Sequence, residues 1–190
     1  MLRNQLHSRI LLYIPSLRGG GAERVAVELA RRWAYDGYEV IVLTQADPAT
    51  DVYPLDARVQ RVSLDTFGRT GLFAHLTQIR RLRRELKRYR PDLLVSFMTS
   101  ASIFSVIAAM GLPCQVIVTE HAYPPFQKLS KHWQRLRRFF YPKAARVVTL
   151  TQATADYLKK EIPKASFCVI PNAVQWPLEQ HEPRVQIPKG

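Results

Sequence analysis

The 190-residue sequence predicts an α/β fold, a doubly wound, mostly parallel sheet with helices on both faces. Two observations predict it. Short apolar, β-branched runs recur along the chain, each nearly continuous rather than alternating, which is how parallel strands buried on both faces read. Segments of helical period lie between most of these runs, and that alternation implies right-handed crossovers onto one sheet.

About seven strands are expected, at 10–14, 40–44, 59–64, 93–97, 116–119, 147–150 and 167–170. Helices are expected at 22–35, 71–89, 101–110, 129–141 and 151–161. The stretch 93–118 carries no charge and is long enough to raise the question of a membrane span. Ser96, Thr99, Ser100, Ser102 and Ser105 stud it, and Gly111 and Pro113 break it, so strand, helix and strand fit better. From 172 to 190 there are three prolines and little periodicity, the composition of a linker or domain boundary. The organisation expected is one Rossmann-like domain over 1–171 followed by a linker over 172–190.

At 47% hydrophobic the chain can bury one real core. Lysine and arginine number 28 against 15 acidic residues, a formal charge of +13. That excess favours an anionic partner: nucleic acid, an anionic membrane face or a phosphorylated ligand. Cys114 and Cys168 lack zinc or redox spacing and read as buried thiols in a reducing compartment. The first nine residues contain no apolar core of signal-peptide length, so a cytoplasmic location is expected.

Chemistry concentrates after the first strand, in Gly19, Gly20, Gly21, Ala22, Glu23 and Arg24. Three glycines let the backbone approach a ligand closely, and the helix that follows offers free N–H groups to a phosphate or carboxylate. Two readings stay open: a tight turn that needs positive φ, or a diphosphate-proximal loop at the carboxyl ends of the strands. A dinucleotide-binding oxidoreductase shares this beginning, but Arg24 occupies the place of its third glycine. A nucleic-acid-binding module is the other alternative, suggested by the basic run Arg80, Arg81, Arg83, Arg84, Lys87, Arg88 and Arg90. Leu76, Ile79, Leu82 and Leu86 line one helical face within that run, so a solvated outer face accounts for it, and no nucleic-acid partner is expected.

The segment Gly19 to Arg24 resembles the Gly-Gly-Ala-Glu-Arg signature of family-4 glycosyltransferases of GT-B fold. Three further segments agree in order and spacing. The run 91–97 resembles the fourth strand, Thr119-Glu120-His121 the Glu-His at the end of the fifth, and 170–174 the Ile-Pro-Asn-Gly-Val that closes the N-terminal domain, with Ala173 where glycine is usual. The resemblance covers nearly the whole chain and implies the acceptor-binding half of a retaining transferase. It also implies a nucleotide-sugar donor as co-substrate and no further cofactor. The Glu-x7-Glu pair of the family's donor-binding domain is absent, so the chain is expected to be inactive alone. No Asp-x-Asp occurs, which argues against a metal site. By the same resemblance His121 lies in the active site, contacting the donor sugar or reacting centre; read from the residues alone it is a surface or capping histidine. Glu120 is expected only to orient neighbouring loops.

The segment 128–143 has no acidic residue. At about 100° per residue Leu129, Trp133, Leu136 and Phe140 form one stripe, and Lys128, Lys131, Arg135 and Arg138 form another roughly opposite. Either this is an ordinary amphipathic helix with a solvated basic face, or the basic stripe meets anionic headgroups or an acceptor diphosphate. The pattern His121, Trp133, Leu136-Arg137-Arg138 and Tyr141-Pro142 resembles family-4 enzymes that extend polyprenyl-diphosphate-linked oligosaccharides in bacteria. That resemblance implies a glycan or lipid-linked acceptor and peripheral association with the inner face of the cell membrane.

Overall fold

The computed structural model describes residues 8–127 and 129–172. The expected linker from 173 onward and Lys128 lie outside the described residues. Seven strands form one sheet: β1 (Arg9–Ile14), β2 (Glu39–Thr44), β3 (Gln60–Ser63), β4 (Leu93–Phe97), β5 (Gln115–Glu120), β6 (Arg146–Thr149) and β7 (Phe167–Val169). Their order is β3-β2-β1-β4-β5-β6-β7, and every neighbouring pair is parallel. The fold class is the one expected, with the sheet parallel throughout.

Five helices clothe it: α1 (Gly21–Tyr35), α2 (Leu72–Tyr89), α3 (Thr99–Ala109), α4 (Lys131–Phe140) and α5 (Gln152–Glu161). Ala22, Ala26, Val27 and Ala30 of α1 pack on one face with Ile10, Leu12, Val40 and Val95. The opposite face collects Leu82 and Leu86 of α2, Ile103 and Phe104 of α3, Trp133 and Leu136 of α4 and Leu158 of α5, over Leu11, Leu94, Val116 and Val147. Right-handed crossovers explain the division. The chain leaves β1 toward β2 and β3 with α1 on one side. It then returns across β1 to β4 through α2 and continues outward, which puts the later helices on the other side. The switch point lies between β1 and β4.

Central position explains why the strand runs read as continuous apolar segments. Leu11, Leu12, Tyr13 and Ile14 are fully buried, so both faces of β1 are dry. At the β7 edge this fails: Cys168 is exposed and Cys114 only half-buried, which corrects the expectation of two buried thiols. Cys168 lies on the sheet face that α1 covers over β1, β2 and β4, and β7 sits at the far end of the sheet from there. Burial pushes the Cys114 thiol up to about 11.

The 93–118 stretch resolves into β4, α3 and β5, as expected. Among the described residues no helix is long and apolar enough to cross a membrane. The start of α3 differs by two residues. Helix α3 begins at Thr99 rather than 101, because Met98 takes φ 72° and turns the chain directly from strand to helix. At the other end of α3, Arg83 of α2 donates to the carbonyls of Ala108 (2.7 Å) and Met110 (2.8 Å), satisfying acceptors that the helix leaves free.

Candidate functional site

At the carboxyl edge of the sheet, over the switch point, lies a cleft of about 990 Å³. Three strand-to-helix turns build it.

The first is the glycine loop. Gly19 has φ 115°, a left-handed conformation that side chains other than hydrogen rarely adopt. Gly20 is extended, and a Cβ there would fall 2.4 Å from Oε2 of Glu23. The first turn bond of α1 runs from the N–H of Arg24 to the Gly20 carbonyl (3.1 Å), so the N–H groups before it are left for a ligand. Glu23 is buried and brings its carboxylate to this same helix N-terminus. Donors and an acceptor therefore stand side by side, a pairing that suits sugar hydroxyls as well as a phosphate. Gly19, Gly20, Gly21 and Glu23 line the cleft; Arg24 does not line it and is exposed.

The second turn is Met98-Thr99, and the third is Glu120-His121 at the end of β5. Glu120 is 1% exposed. The Thr99 hydroxyl lies 3.1 and 3.0 Å from its two oxygens, and the Tyr141 hydroxyl donates to Oε1. Burial raises the Glu120 pKa against these two donors and the nearby Arg137 charge, and burial with the adjacent carboxylate holds the Tyr141 hydroxyl protonated. The carboxylate thus ties β5 to the start of α3 and to Tyr141, which follows α4.

The proton arrangement on His121 follows from its neighbours. The Thr119 hydroxyl donates its one proton to the Ser96 carbonyl (2.9 Å). The 3.1 Å contact from His121 Nε2 to Thr119 Oγ1 must then be donated by the ring, which fixes the Nε2–H tautomer. Nδ1 is left as a buried acceptor with no partner. Burial lowers the His121 pKa, so the ring is neutral at pH 7. It lies over Phe97, with ring centroids 5.3 Å apart.

The cleft also contains residues that sequence reasoning did not single out as ligand contacts. Arg69 comes from the loop after β3, and His75 and Gln78 from α2. Gln78 is pinned by its amide donating to the Tyr13 hydroxyl at 2.7 Å. Trp133, assigned to the packing stripe of α4, both touches the core and lines the cleft, where His75 (5.4 Å) and Phe104 (5.6 Å) meet its ring.

On α4 Trp133, Leu136 and Phe140 are partly buried, while the described members of the basic stripe meet different environments. Lys131 and Arg135 are exposed. Arg138 is engaged by Glu161 of α5, Nε to Oε2 at 3.0 Å. Arg137, on neither stripe, is 4% exposed, and its Nε and Nη1 are buried without partners. Among the described residues no cluster of three or more histidine, cysteine, aspartate or glutamate side chains is arranged to hold a metal ion.

Comparison with known proteins agrees with this layout. A curated relative from Campylobacter jejuni is 27% identical over 167 residues, 86% of this chain and 46% of its own. It is named GalNAc-alpha-(1->4)-GalNAc-alpha-(1->3)-diNAcBac-PP-undecaprenol alpha-1,4-N-acetyl-D-galactosaminyltransferase. A glycosyltransferase structure from Rickettsia africae superposes with a TM-score of 0.71 at 19% identity, over 89% of this chain and 44% of that one. Sucrose-phosphate synthase from Thermosynechococcus elongatus gives 0.71 at 14%, over 87% and 48%. The Anabaena protein HepE, solved with UDP, gives 0.64 at 18%, over 87% and 44%. The chain thus spans about half the length of these proteins. The sequence profile of Glycosyltransferase Family 4 matches residues 19–175, and the chain belongs to that family.

Proposed function

We propose that this chain is the acceptor-binding half of a retaining hexosyltransferase. It moves a sugar from a nucleotide-sugar, as co-substrate and without a further cofactor, onto a glycan or lipid-linked acceptor. The observation that carries the reading is the convergence of the glycine loop, Met98-Thr99 and Glu120-His121 on one cleft at the switch point, where α/β sheets bind ligands. The relative named for a polyprenol-diphosphate-linked oligosaccharide favours a lipid-linked acceptor.

In this scheme the free N–H groups of the glycine loop lie beside the donor diphosphate, and Glu23 accepts from a sugar hydroxyl. Neutral His121 presents Nδ1 as an acceptor to a hydroxyl near the reacting centre. It is not a general base, since retention needs none at that place. Lys131 and Arg135, with Lys128 and Arg138 from the same basic stripe, face the acceptor diphosphate and an anionic membrane at its cytoplasmic face. A second, nucleotide-sugar-binding domain is needed to close the cleft, exclude water and stabilise the leaving diphosphate.

The test is sugar transfer from radiolabelled nucleotide-sugars to a short-chain, water-soluble diphosphate-linked acceptor. The 190-residue chain alone is expected to bind the acceptor without turnover, and joining it to a donor-binding domain is expected to give turnover. Turnover by the chain alone, or no acceptor binding, would defeat the reading.

A further inference from the structure

The outward face of α2 changes chemistry along its length. Gln78, Leu82, Glu85, Leu86 and Tyr89 are buried. On the other side, at about 100° per residue, Leu72, Phe73, Leu76, Arg80, Arg84 and Lys87 fall within an arc of roughly 120°, and all six are exposed. From Leu72 to Arg84 the helix rises about 18 Å. Its first turn is apolar: Leu72 is 70% exposed, Phe73 86% and Leu76 40%. The following turns are basic.

Large side chains so exposed on a regular helix keep apolar surface in water at a cost that only an occupant relieves. The rest of the stripe identifies the occupant. The single acid of α2, Glu85, is buried, with Arg84 Nε at 3.1 Å and Arg88 at 3.7 Å. No carboxylate therefore projects from the stripe, and among the described residues Arg80 and Lys87 meet none. An apolar tip backed by cations without acids matches a bilayer, whose acyl chains take Leu and Phe and whose anionic headgroups take Arg and Lys. Phe126, 87% exposed on the turn after β5, stands at the same carboxyl edge of the sheet. His75, two residues beyond Phe73, already lines the cleft.

We propose that α2 docks this protein on an anionic bilayer, with Leu72, Phe73 and Leu76 entering one leaflet and Arg80, Arg84 and Lys87 lying on its headgroups. The cleft mouth is then held at the membrane surface, where a lipid-linked acceptor presents its headgroup. The proposal rests on the peripheral-membrane part of the reading above and needs neither the α4 assignment nor the transfer reaction.

The experiment is flotation of the chain with vesicles of phosphatidylcholine, with and without 30 mol% phosphatidylglycerol as a round test composition, at low and high salt. At about 1 kcal/mol for each basic residue near an anionic surface, Arg80→Glu/Lys87→Glu weakens partition to anionic vesicles by roughly 25-fold or more. Leu72→Ser/Phe73→Ser weakens it by at least about tenfold, with little salt dependence of the loss. Lys159→Glu/Lys160→Glu, the same charge change at exposed positions of α5, costs less than about threefold. All three pairs are solvent-facing, and unchanged thermal melting confirms the fold.

Equal loss from the α5 pair would show non-specific charge attraction and overturn the proposal. Full binding by both α2 pairs would also overturn it, and if Lys131→Glu/Arg135→Glu then abolished binding, the α4 reading would stand alone. Conversion of a dimer to a monomer by Leu72→Ser/Phe73→Ser, with vesicle binding unchanged, would reassign the patch to contact between copies of the chain. Binding of the water-soluble acceptor by the α2 variants is expected to stay at wild-type level, which separates failure here from failure of the transferase reading.

Discussion

Replacing Glu120 tests whether the carboxylate under the cleft is held at an electrostatic cost. Burial raises its pKa above the unfolded value, so between the two values the folded state binds more protons than the unfolded one. By linkage, stability is then fully present below the unfolded pKa, about 4.3, and declines as pH rises toward the folded value. Glu120→Gln removes the charge but keeps the shape and the contacts to Thr99 and Tyr141. Its melting temperature is expected to be close to wild type at about pH 4, flatter than wild type above roughly the unfolded value, and higher than wild type at neutral pH. Glu120→Ala instead strands the hydroxyls of Thr99 and Tyr141 and leaves Arg137 without its nearby carboxylate, at about 3 kcal/mol. For a chain of this size that is a fall of roughly 6–12 °C. Calorimetry or fluorimetry from pH 4 to 8, as a suitable range around that pKa, reads both variants. Parallel pH profiles for wild type and Glu120→Gln, or a Gln variant as unstable as the Ala variant, would refute the electrostatic account.

His121→Ala in the two-domain enzyme is expected to lower kcat by roughly a hundredfold, with Asn intermediate if the Nδ1 acceptor is what matters; saturating-substrate kinetics check this. Because burial lowers the His121 pKa, its stabilisation is present above the unfolded value of about 6.5 and is lost as pH falls through the folded value. The wild-type melting temperature should fall more than that of His121→Ala on that acid limb. Gly19→Ala forces a left-handed conformation on a side chain and is expected to cost about 1–2 kcal/mol, read by denaturant unfolding. Gly20→Ala displaces only the end of Glu23, so it should leave stability nearly intact and weaken acceptor binding, measured by titration calorimetry. Arg138→Ala removes a partly exposed pair with Glu161 and should change stability by less than about 1 kcal/mol.

The sheet was legible because its strands are central: Leu11 to Ile14 and Val40 to Leu43 are buried on both faces, and such runs stand out in any reading. Cys168 was misread because edge position is a property of strand order, which the run Phe167 to Val169 does not encode. The glycine loop and Glu120-His121 could be found locally, each being a turn signal next to a strand. Arg69, His75, Gln78 and Trp133 could not. They meet at the cleft only because α2 and α4 flank α3, and the contact of His75 with Trp133 joins residues far apart in the chain. Arg137 was hidden among the four lysines and arginines of α4, and no periodicity marks which of them turns inward.

Where the positive charge sits bears on how the chemistry is divided. The formal excess is +13, yet among the described residues lining the cleft the lysines and arginines are represented by Arg69 alone, against Glu23 and Glu120. Exposed cations stand instead on outer surfaces, among them Arg80, Arg84, Lys87 and Arg88 of α2 and Lys131, Arg135 and Arg138 of α4. A pair of leaving phosphates would develop charge in a cleft that is not itself cationic, and loop N–H groups alone supply partial charges. In the two-domain scheme proposed above, full neutralisation is assigned to the nucleotide-sugar-binding domain. The basic outer helices are free to act on a surface, and salt separates the two effects. Raising ionic strength should weaken vesicle binding steeply, because those charges are exposed. It should barely alter binding in the cleft of an acceptor glycan that carries no diphosphate, for which the proposed contacts are hydrogen bonds to hydroxyls. If added salt weakens both alike, the cations of α2 and α4 also serve the ligand in the cleft, and the division fails.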